Sequence, residues 1–341
     1  MTSKFYNWLY IMLIGISLGV LSGCNGTASP TQPTQPAEDI TFQLSWTHEY
    51  SAANFYVAVE NGHFKAQNLN VNIVEGGFGD AGFIEPIDEV LSGESDFGTS
   101  SATSLIQARA EGKAVVGIAT VLQRNPYALI SIKDTNIVNL SDLAGKRIAV
   151  SDGAARTNLL IFLEQQGIDS DSVTLVPRTT FGVEPLVNGD VDLLAGWLIN
   201  EAVMVEEAGF EVNFILLSDY GLDDYNFVIF TSQDMVDNRP EIVDRFVRGF
   251  LAGLQDTINS PEKAIDAVLK YNSALDRQGQ LNRLEVMLPL INPPGRPLGI
   301  MELGVWEQSQ DVLLSLEILS EPIDLNTAFT NRFLDAIYGS N

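Results

Sequence analysis

Phe42-Gln43-Leu44-Ser45-Trp46 opens the folded part of the chain and reads as a strand of apolar and aromatic residues. Ala52 to Asn61 follows as a helix with Phe55, Tyr56 and Val59 on one side, stopped by Asn61-Gly62. Val71-Asn72-Ile73-Val74 is the next strand, running into Gly76-Gly77. The alternation then spreads along the chain. Ile84 to Leu91 reads as a helix, Asp96–Gly98 as a short strand, Ala102–Glu111 as a helix, and Val115–Leu122 and Ala128–Ile132 as strands. Strand Arg147–Val150, helix Thr157–Gln166, strand Val173–Val176 and helix Val183–Asn188 repeat the order. Strand Asp192–Ala195, helix Leu198–Ala208 and strand Val212–Leu216 complete it. After strand Phe227–Phe230 the chain turns almost wholly helical, with Pro240-Glu241 and Pro261-Glu262 each at a first helical turn. This pattern predicts an α/β chain of mainly parallel sheets covered by helices, with a helical C-terminal segment.

The residues before this core read differently. Lys4 precedes an apolar run from Trp8 to Val20, and Leu21-Ser22-Gly23-Cys24 closes it. A charged start, a short apolar stretch and a small-residue cleavage site make a secretory signal peptide over 1–23, since a membrane-spanning helix needs about 20 apolar residues. Leu-Ser-Gly-Cys resembles the bacterial lipobox, which makes Cys24, the single cysteine, a lipidated mature N-terminus. Residues 24–39 carry repeated Thr-Gln-Pro and no apolar periodicity, the composition of an extended tether. The expected location is extracytoplasmic, at a membrane surface. About 300 residues remain from Ile40, enough for two lobes at roughly 100–200 residues per domain.

Composition narrows the partners. Formal net charge is −25, from 44 acidic and 19 basic residues. No basic stripe is visible, which excludes nucleic acid. Hydrophobic residues at 45% exclude a disordered acidic tail. With one cysteine there is no internal disulfide, so stability must come from the core.

Several ordered pieces resemble one solute-binding family. They are Phe42–Trp46, Ala53–Ala58, Asn61-Gly62-His63-Phe64-Lys65, Leu69-Asn70-Val71, Leu91–Gly98 and Ala108–Lys113. Downstream come Gln123-Arg124-Asn125-Pro126, Asp142–Ile148 and Trp197-Leu198-Ile199-Asn200-Glu201. The family serves ABC importers of thiamine-pyrimidine precursors, with relatives that bind sulfonates, taurine, nitrate or riboflavin. The similarity spans roughly Ile40 to Asp256. It implies a type II periplasmic-binding-protein fold of two lobes joined by two crossing strands, with lobe I at 40–130 and 226–341 and lobe II at 131–225. The implied partners are a small-molecule solute in the cleft, an ABC permease with its ATPase, and the membrane through Cys24, with the chain a monomer. Binding outside the carboxyl ends of the strands agrees with open α/β sheets in general.

The candidate site residues follow from these positions. Trp46 ends the first strand, where an aromatic face stacks on a flat heterocycle, with His48, Asn54 and Tyr56 near it to supply hydrogen bonds and walls; a core anchor is the alternative role for Trp46. Ser100 and Ser101 lie between a strand and a helix, where a hydroxyl either caps the helix or meets a ligand oxygen. Asp152, beside Gly153, holds the equivalent place in the second lobe, and Arg156 pairs with a ligand anion or a surface carboxylate such as Glu184. Trp197, Asn200 and Glu201 follow a strand, and a carboxylate at a helix start either compensates the dipole or accepts hydrogen bonds from an aminopyrimidine. Gln123 and Asn125 flank the crossover.

An enzyme is not expected. Fungal relatives of the fold make the thiamine pyrimidine from their own histidine and carry a cysteine-rich motif, which is absent here. Two histidines and no cysteine cluster leave no metal site and no thiol chemistry, and no cofactor is implied. Ser151-Asp152-Gly153 lacks the leading glycine of a nucleophile elbow, and Gly76-Gly77-Phe78-Gly79-Asp80 lacks the spacing of a phosphate or dinucleotide loop. A lipoprotein that senses its ligand for a membrane receptor is the other class the sequence allows.

Overall fold

A computed structural model of the chain describes residues 36–79, 82–180 and 182–339. The expected signal peptide, Cys24 and nearly all of the Pro-rich stretch lie outside the described residues. No helix among the described residues is long and apolar enough to cross a membrane.

Strands and helices alternate as the apolar pattern requires. The strands are β1 Glu38–Gln43, β2 Leu69–Val74, β3 Gly77–Gly79, β4 Gly82–Ile84, β5 Phe97–Ser100 and β6 Val115–Thr120. After the first crossing come β7 Tyr127–Ile132, β8 Arg147–Val150, β9 Thr174–Pro177, β10 Leu193–Trp197, β11 Val212–Leu216 and β12 Val228–Ser232. They form two five-stranded sheets, ordered β2-β1-β5-β12-β6 and β11-β7-β10-β8-β9, and a separate β3–β4 hairpin. β1 pairs in parallel with β2 and β5, and β8 with β9 and β10. β12 runs antiparallel to β5 and β6, and β7 antiparallel to β10 and β11. Each sheet therefore has one strand inserted against the direction of the others. The sheets are thus mainly parallel, as expected, with one reversed strand each: β7 and β12 come directly after the two crossings, where the chain enters the opposite sheet and runs back.

The crossings occupy 121–126 and 221–227, between β6 and β7 and between the Leu217–Tyr220 turn and β12. β7 stands whole in the second sheet, including residues 127–130. β1 begins at Glu38, before Ile40.

The first sheet is buried on both faces. Phe42, Phe97 and Phe246 stack on one side, where helix Ala53–Glu60 packs on helices Pro240–Asn259 and Pro261–Tyr271. Val115, Val228, Phe230 and Trp306 fill the other, under helices Pro86–Ser92, Ala102–Ala110 and Leu303–Ser315. In β7 the period of two sends Leu129 to one cluster with Ile148, Phe162 and Leu193, and Ala128 and Ile130 to another with Leu194, Leu198 and Leu216. Helix Arg277–Ile291 is the exception to this division. It belongs to the C-terminal run, yet it packs on the turn Leu198–Ala202 and helix Val203–Glu207 of the second half.

Candidate functional site

The parallel strands of the first sheet end at one edge, and the loops leaving it carry the aromatic residues. β1 and β2 stay zipped past their regular ends: Leu44 N–H reaches the Val74 carbonyl at 3.0 Å, and Gly76 N–H the Trp46 carbonyl at 2.9 Å. Ser45 is fixed from β5, donating its N–H to Thr99 Oγ1 at 2.9 Å and accepting the Thr99 hydroxyl at 3.2 Å. These contacts hold Trp46 at the rim, 45% exposed. Beside it is a recess of about 10 Å3. Trp46, Phe55 and Phe227 are its apolar walls, Ser45, Ser51 and Thr99 bring hydroxyls, and no charged side chain lines it. That volume admits one water-sized body, so nothing the size of an aromatic ring fits inside it as it stands.

The other residues expected near Trp46 face elsewhere. Tyr56 is fully buried and packs on Tyr271, ring centroids 4.2 Å apart. His48 Nδ1 lies 2.7 Å from the Tyr56 hydroxyl, and the His48 carbonyl accepts from Asn272 Nδ2. Both residues are thus tied to the helical tail. Burial, with the charges of Glu75 and Glu49 nearby, pushes the Tyr56 hydroxyl far above the usual phenol range. Asn54 is buried in the first turn of its helix, and its Nδ2 has no partner. Ser100 is buried at the end of β5, paired with Val228. Ser101 is the cap of helix Ala102–Ala110, accepting the Ser104 N–H at 3.0 Å.

The edge of the second sheet is built on an ion pair. Arg178, just after β9, donates from Nη1 to Glu201 Oε1 at 2.8 Å, and the Trp197 N–H donates to Glu201 Oε2 at 2.9 Å. The two side chains are 3% and 8% exposed. Glu201 sits in a wide π-type turn, Leu198–Ala202, that leads into helix Val203–Glu207. Both of its oxygens are engaged within the chain, so it anchors Trp197 rather than presenting a free carboxylate. Gly196 lies so close that a Cβ there would stand 2.9 Å from the Glu201 carboxyl carbon. Trp197 meets Phe227 edge-on at 6.2 Å. Burial pushes the Tyr127 hydroxyl up to about 12, and the charge of Glu201 adds to it.

Asn200 is the expected residue that reaches across. Its Oδ1 accepts the hydroxyl of Tyr50 at 2.7 Å, and the Tyr50 N–H donates to Gln280 Oε1 at 2.8 Å. Glu49, next in the same loop, accepts from the Ser51 hydroxyl, and burial raises its pKa. At the crossings, Asn125 Oδ1 accepts the Tyr127 N–H at 2.9 Å while its own N–H donates to Asp223 Oδ1 at 2.8 Å, stitching the two segments together. Gln123 is fully buried, with Nε2 donating to the Pro297 carbonyl and Oε1 left without a partner. Asp152 is exposed. Arg156 donates to the Leu175 carbonyl at 3.3 Å. Among the described residues no cluster of His, Cys, Asp and Glu has the arrangement of a metal site.

Of the residues expected from the sequence, Trp46 stands at the recess, Asn200 bonds to Tyr50, and Trp197 and Glu201 share the second edge, whereas Arg178, Phe55, Phe227 and Tyr50, which pack or bond with them, were not singled out. Arg178 stands 23 positions from Glu201, and nothing in local spacing ties them.

Comparison with known proteins now has a geometry to meet. Residues 50–264 match the model of the NMT1/THI5-like family. The chain is similar to the riboflavin-binding protein RibY of Chloroflexus aurantiacus, 28% identical over 320 residues and covering 90% of each chain. It is 23% identical over 326 residues to the formylaminopyrimidine-binding protein of Halalkalibacterium halodurans, covering 94% of this chain and 98% of that one. A third relative is named 4-amino-5-hydroxymethyl-2-methylpyrimidine phosphate synthase, from Legionella pneumophila, 24% identical over 302 residues, 86% of this chain and 92% of that one. Among solved structures, the periplasmic aliphatic sulphonate binding protein SsuA from Escherichia coli superposes with a TM-score of 0.63 at 15% identity, over 86% of this chain and 92% of that one. The fold is that of the periplasmic binding proteins, and the family match covers more than half of the chain: the protein belongs to the NMT1/THI5-like family.

Proposed function

We propose that this chain is the extracytoplasmic substrate-binding protein of an ABC importer, a monomer held to the membrane by a lipid on Cys24. Its solute is a small planar nitrogen heterocycle, taken up between the first and second sheets and passed to a permease. The observation that carries this reading is Trp46, half-exposed at the mouth of an uncharged, hydroxyl-lined recess at the carboxyl edge of the first sheet. An aromatic face with a few hydroxyls suits a flat polar ring. Two relatives named for binding riboflavin and formylaminopyrimidine, both nitrogen heterocycles, support the same class.

A sulfonate or nitrate finds no countercharge among the residues lining the recess. A binding role rather than an enzymatic one is supported by the two histidines. His48 is bonded to Tyr56, and His63 lies 2.7 Å from Asp256; neither lines the recess. On the second edge, Arg178 and Glu201 are buried and paired with each other.

The test is a thermal-shift panel on the purified chain with thiamine, aminopyrimidines, riboflavin, taurine, alkanesulfonates and nitrate. A ligand at a hundred times its dissociation constant adds about 2.7 kcal/mol. A shift confined to heterocycles is the expected result, and a shift with a sulfonate alone would overturn the assignment of the solute. Co-purification with a permease supports import, whereas co-purification with a receptor kinase would replace import by sensing.

A further inference from the structure

Ser309 is a hydroxyl in the interior of helix Leu303–Ser315, 1% exposed, with more acceptors beside it than it has hydrogens. Its Oγ lies 2.9 Å from the Val305 carbonyl, one turn back in the same helix, and 2.8 Å from Asp224 Oδ1 on the second crossing. A serine hydroxyl carries one hydrogen, and neither a carbonyl nor an ionised carboxylate can donate. Both contacts are hydrogen bonds at once only when the Asp224 carboxyl is protonated. It then donates to Ser309 Oγ, and Ser309 donates to Val305. When Asp224 is ionised, the Ser309 hydroxyl turns to it and gives up the Val305 carbonyl. The other carboxyl oxygen, Oδ2, lies 3.4 Å from Thr103 Oγ1 in helix Ala102–Ala110.

Asp224 therefore ties the crossing to two helices of the first half. Backbone holds the residues after it: the Ala102 N–H donates to the Tyr225 carbonyl at 2.8 Å, and the Val121 N–H to the Phe227 carbonyl at 2.9 Å. Phe227 is a wall of the recess and meets Trp197, so whatever fixes the crossing also fixes that wall.

The charges around the carboxyl favour its neutral form. On the crossing itself, Asp223 repels a second negative charge, and Tyr225, its hydroxyl pushed up to about 12 by burial, stays neutral. Helices Ala102–Ala110 and Leu303–Ser315 bring the hydroxyls of Thr103 and Ser309. Arg124 on the first crossing pairs with Asp219, and Arg296, in the loop before Leu303, pairs with Glu302 at 3.0 Å. Both cations bear on Asp223. Burial, with the repulsion from Asp223, raises the Asp224 pKa to about 7.

We propose that Asp224 is a proton-operated latch on the second crossing: protonated, it pins the crossing to helices Ala102–Ala110 and Leu303–Ser315, and when its proton leaves to water the crossing, with Phe227, is freed to open. In the opened crossing the carboxyl meets water and returns toward the ordinary carboxylate range. Opening is therefore favoured progressively as pH climbs from about 4 to about 7, and levels off above that.

Hydrogen exchange of the full chain, resolved to single amides and corrected for the intrinsic pH dependence of exchange, tests this. The Ala102 and Val121 amides, which donate to the crossing, are expected to lose at least about tenfold in protection between pH 5 and pH 7.5. The Leu44 amide, bonded to Val74 at the far side of the sheet, is expected to stay within about twofold. Asp224→Asn keeps a donor and an acceptor but does not titrate, and should hold both amides near their pH 5 protection throughout. Ser309→Ala removes the partner of the latch, and should leave both amides poorly protected already at pH 5. Protection of Ala102 and Val121 that does not change with pH in the wild type would overturn the proposal. An equal change at Leu44 would overturn it too, since the proton then governs the whole fold and not the crossing. So would a pH dependence that survives Asp224→Asn and vanishes in Asp223→Asn, which places the proton on the other carboxyl.

Discussion

The carboxyl edges of the two sheets are built on opposite principles. On the first, Trp46 stands half in water beside hydroxyls and aromatic walls, and the exposed Phe78 and Phe83 adjoin it. On the second, Glu201 and Arg178 are buried and committed to each other, with Trp197 tied by its backbone to the same carboxylate. The first edge leaves aromatic surface in water, and the second buries its charges against each other. A carboxylate at a helix start reads the same in sequence whether it serves a ligand or a neighbour; a buried guanidinium at 2.8 Å decides for the neighbour.

The largest effect is expected where the second edge is broken. Arg178→Met leaves the Glu201 carboxylate buried without its cation, and unfolding by denaturant should report a loss of about 3–5 kcal/mol. Adding Glu201→Leu to it should recover most of that loss. If Arg178→Met instead leaves stability intact and abolishes ligand binding, the contrast between the edges is wrong. Trp46→Ala is the matching cut on the first edge. Titration with a bound heterocycle should show affinity falling about ten- to a hundredfold, while stability changes by less than about 1 kcal/mol for so exposed a side chain.

The next effect belongs to the crossing that joins the edges. Asp224 accepts hydrogen bonds from Ser309 at 2.8 Å and Thr103 at 3.4 Å. Burial, reinforced by the neighbouring charge of Asp223, raises its pKa to about 7 from 3.8. A carboxyl raised on folding holds its proton more tightly in the native state, so stability falls as pH climbs from about 4 to about 7. Asp224→Asn should remove that component and raise stability above pH 7 by about 1–2 kcal/mol, read from melting temperatures at pH 5 and pH 8. The smallest effect is Tyr50→Phe, which deletes the 2.7 Å bond to Asn200 between the two halves. A cost of about 1 kcal/mol in denaturant unfolding is expected.

The long periodic elements were legible in the sequence. Strands Arg147–Val150 and Val212–Leu216 and the helices opened by Pro240 and Pro261 stand where apolar periodicity and proline place them. The β3–β4 hairpin was not, because strands of three residues among glycines fall below any periodic window. The direction of β7 and β12 was not legible either, since alternation of side chains is the same whichever way a strand runs. Trp46 was singled out because the apolar run it closes reads as a strand, although β1 ends at Gln43 and Trp46 stands in the loop beyond it. Its wall Phe227 was read as part of a strand, and Phe55 only as a helix face; both join the site through tertiary packing alone.

Helix Arg277–Ile291 limits the ways in which the halves could separate. Leu281, Leu284 and Met287 are buried in the same apolar cluster as Leu198, Ile199, Ala202 and Val205, and Arg283 pairs with Glu207 at 3.0 Å. Swinging the halves apart like the covers of a book would strip that seam into water at about 25 cal/mol per Å2. Sliding along it would keep the apolar contact. With the helix as a rail, any opening of the halves would be a shear of packed side chains, of the kind that needs no long flexible hinge.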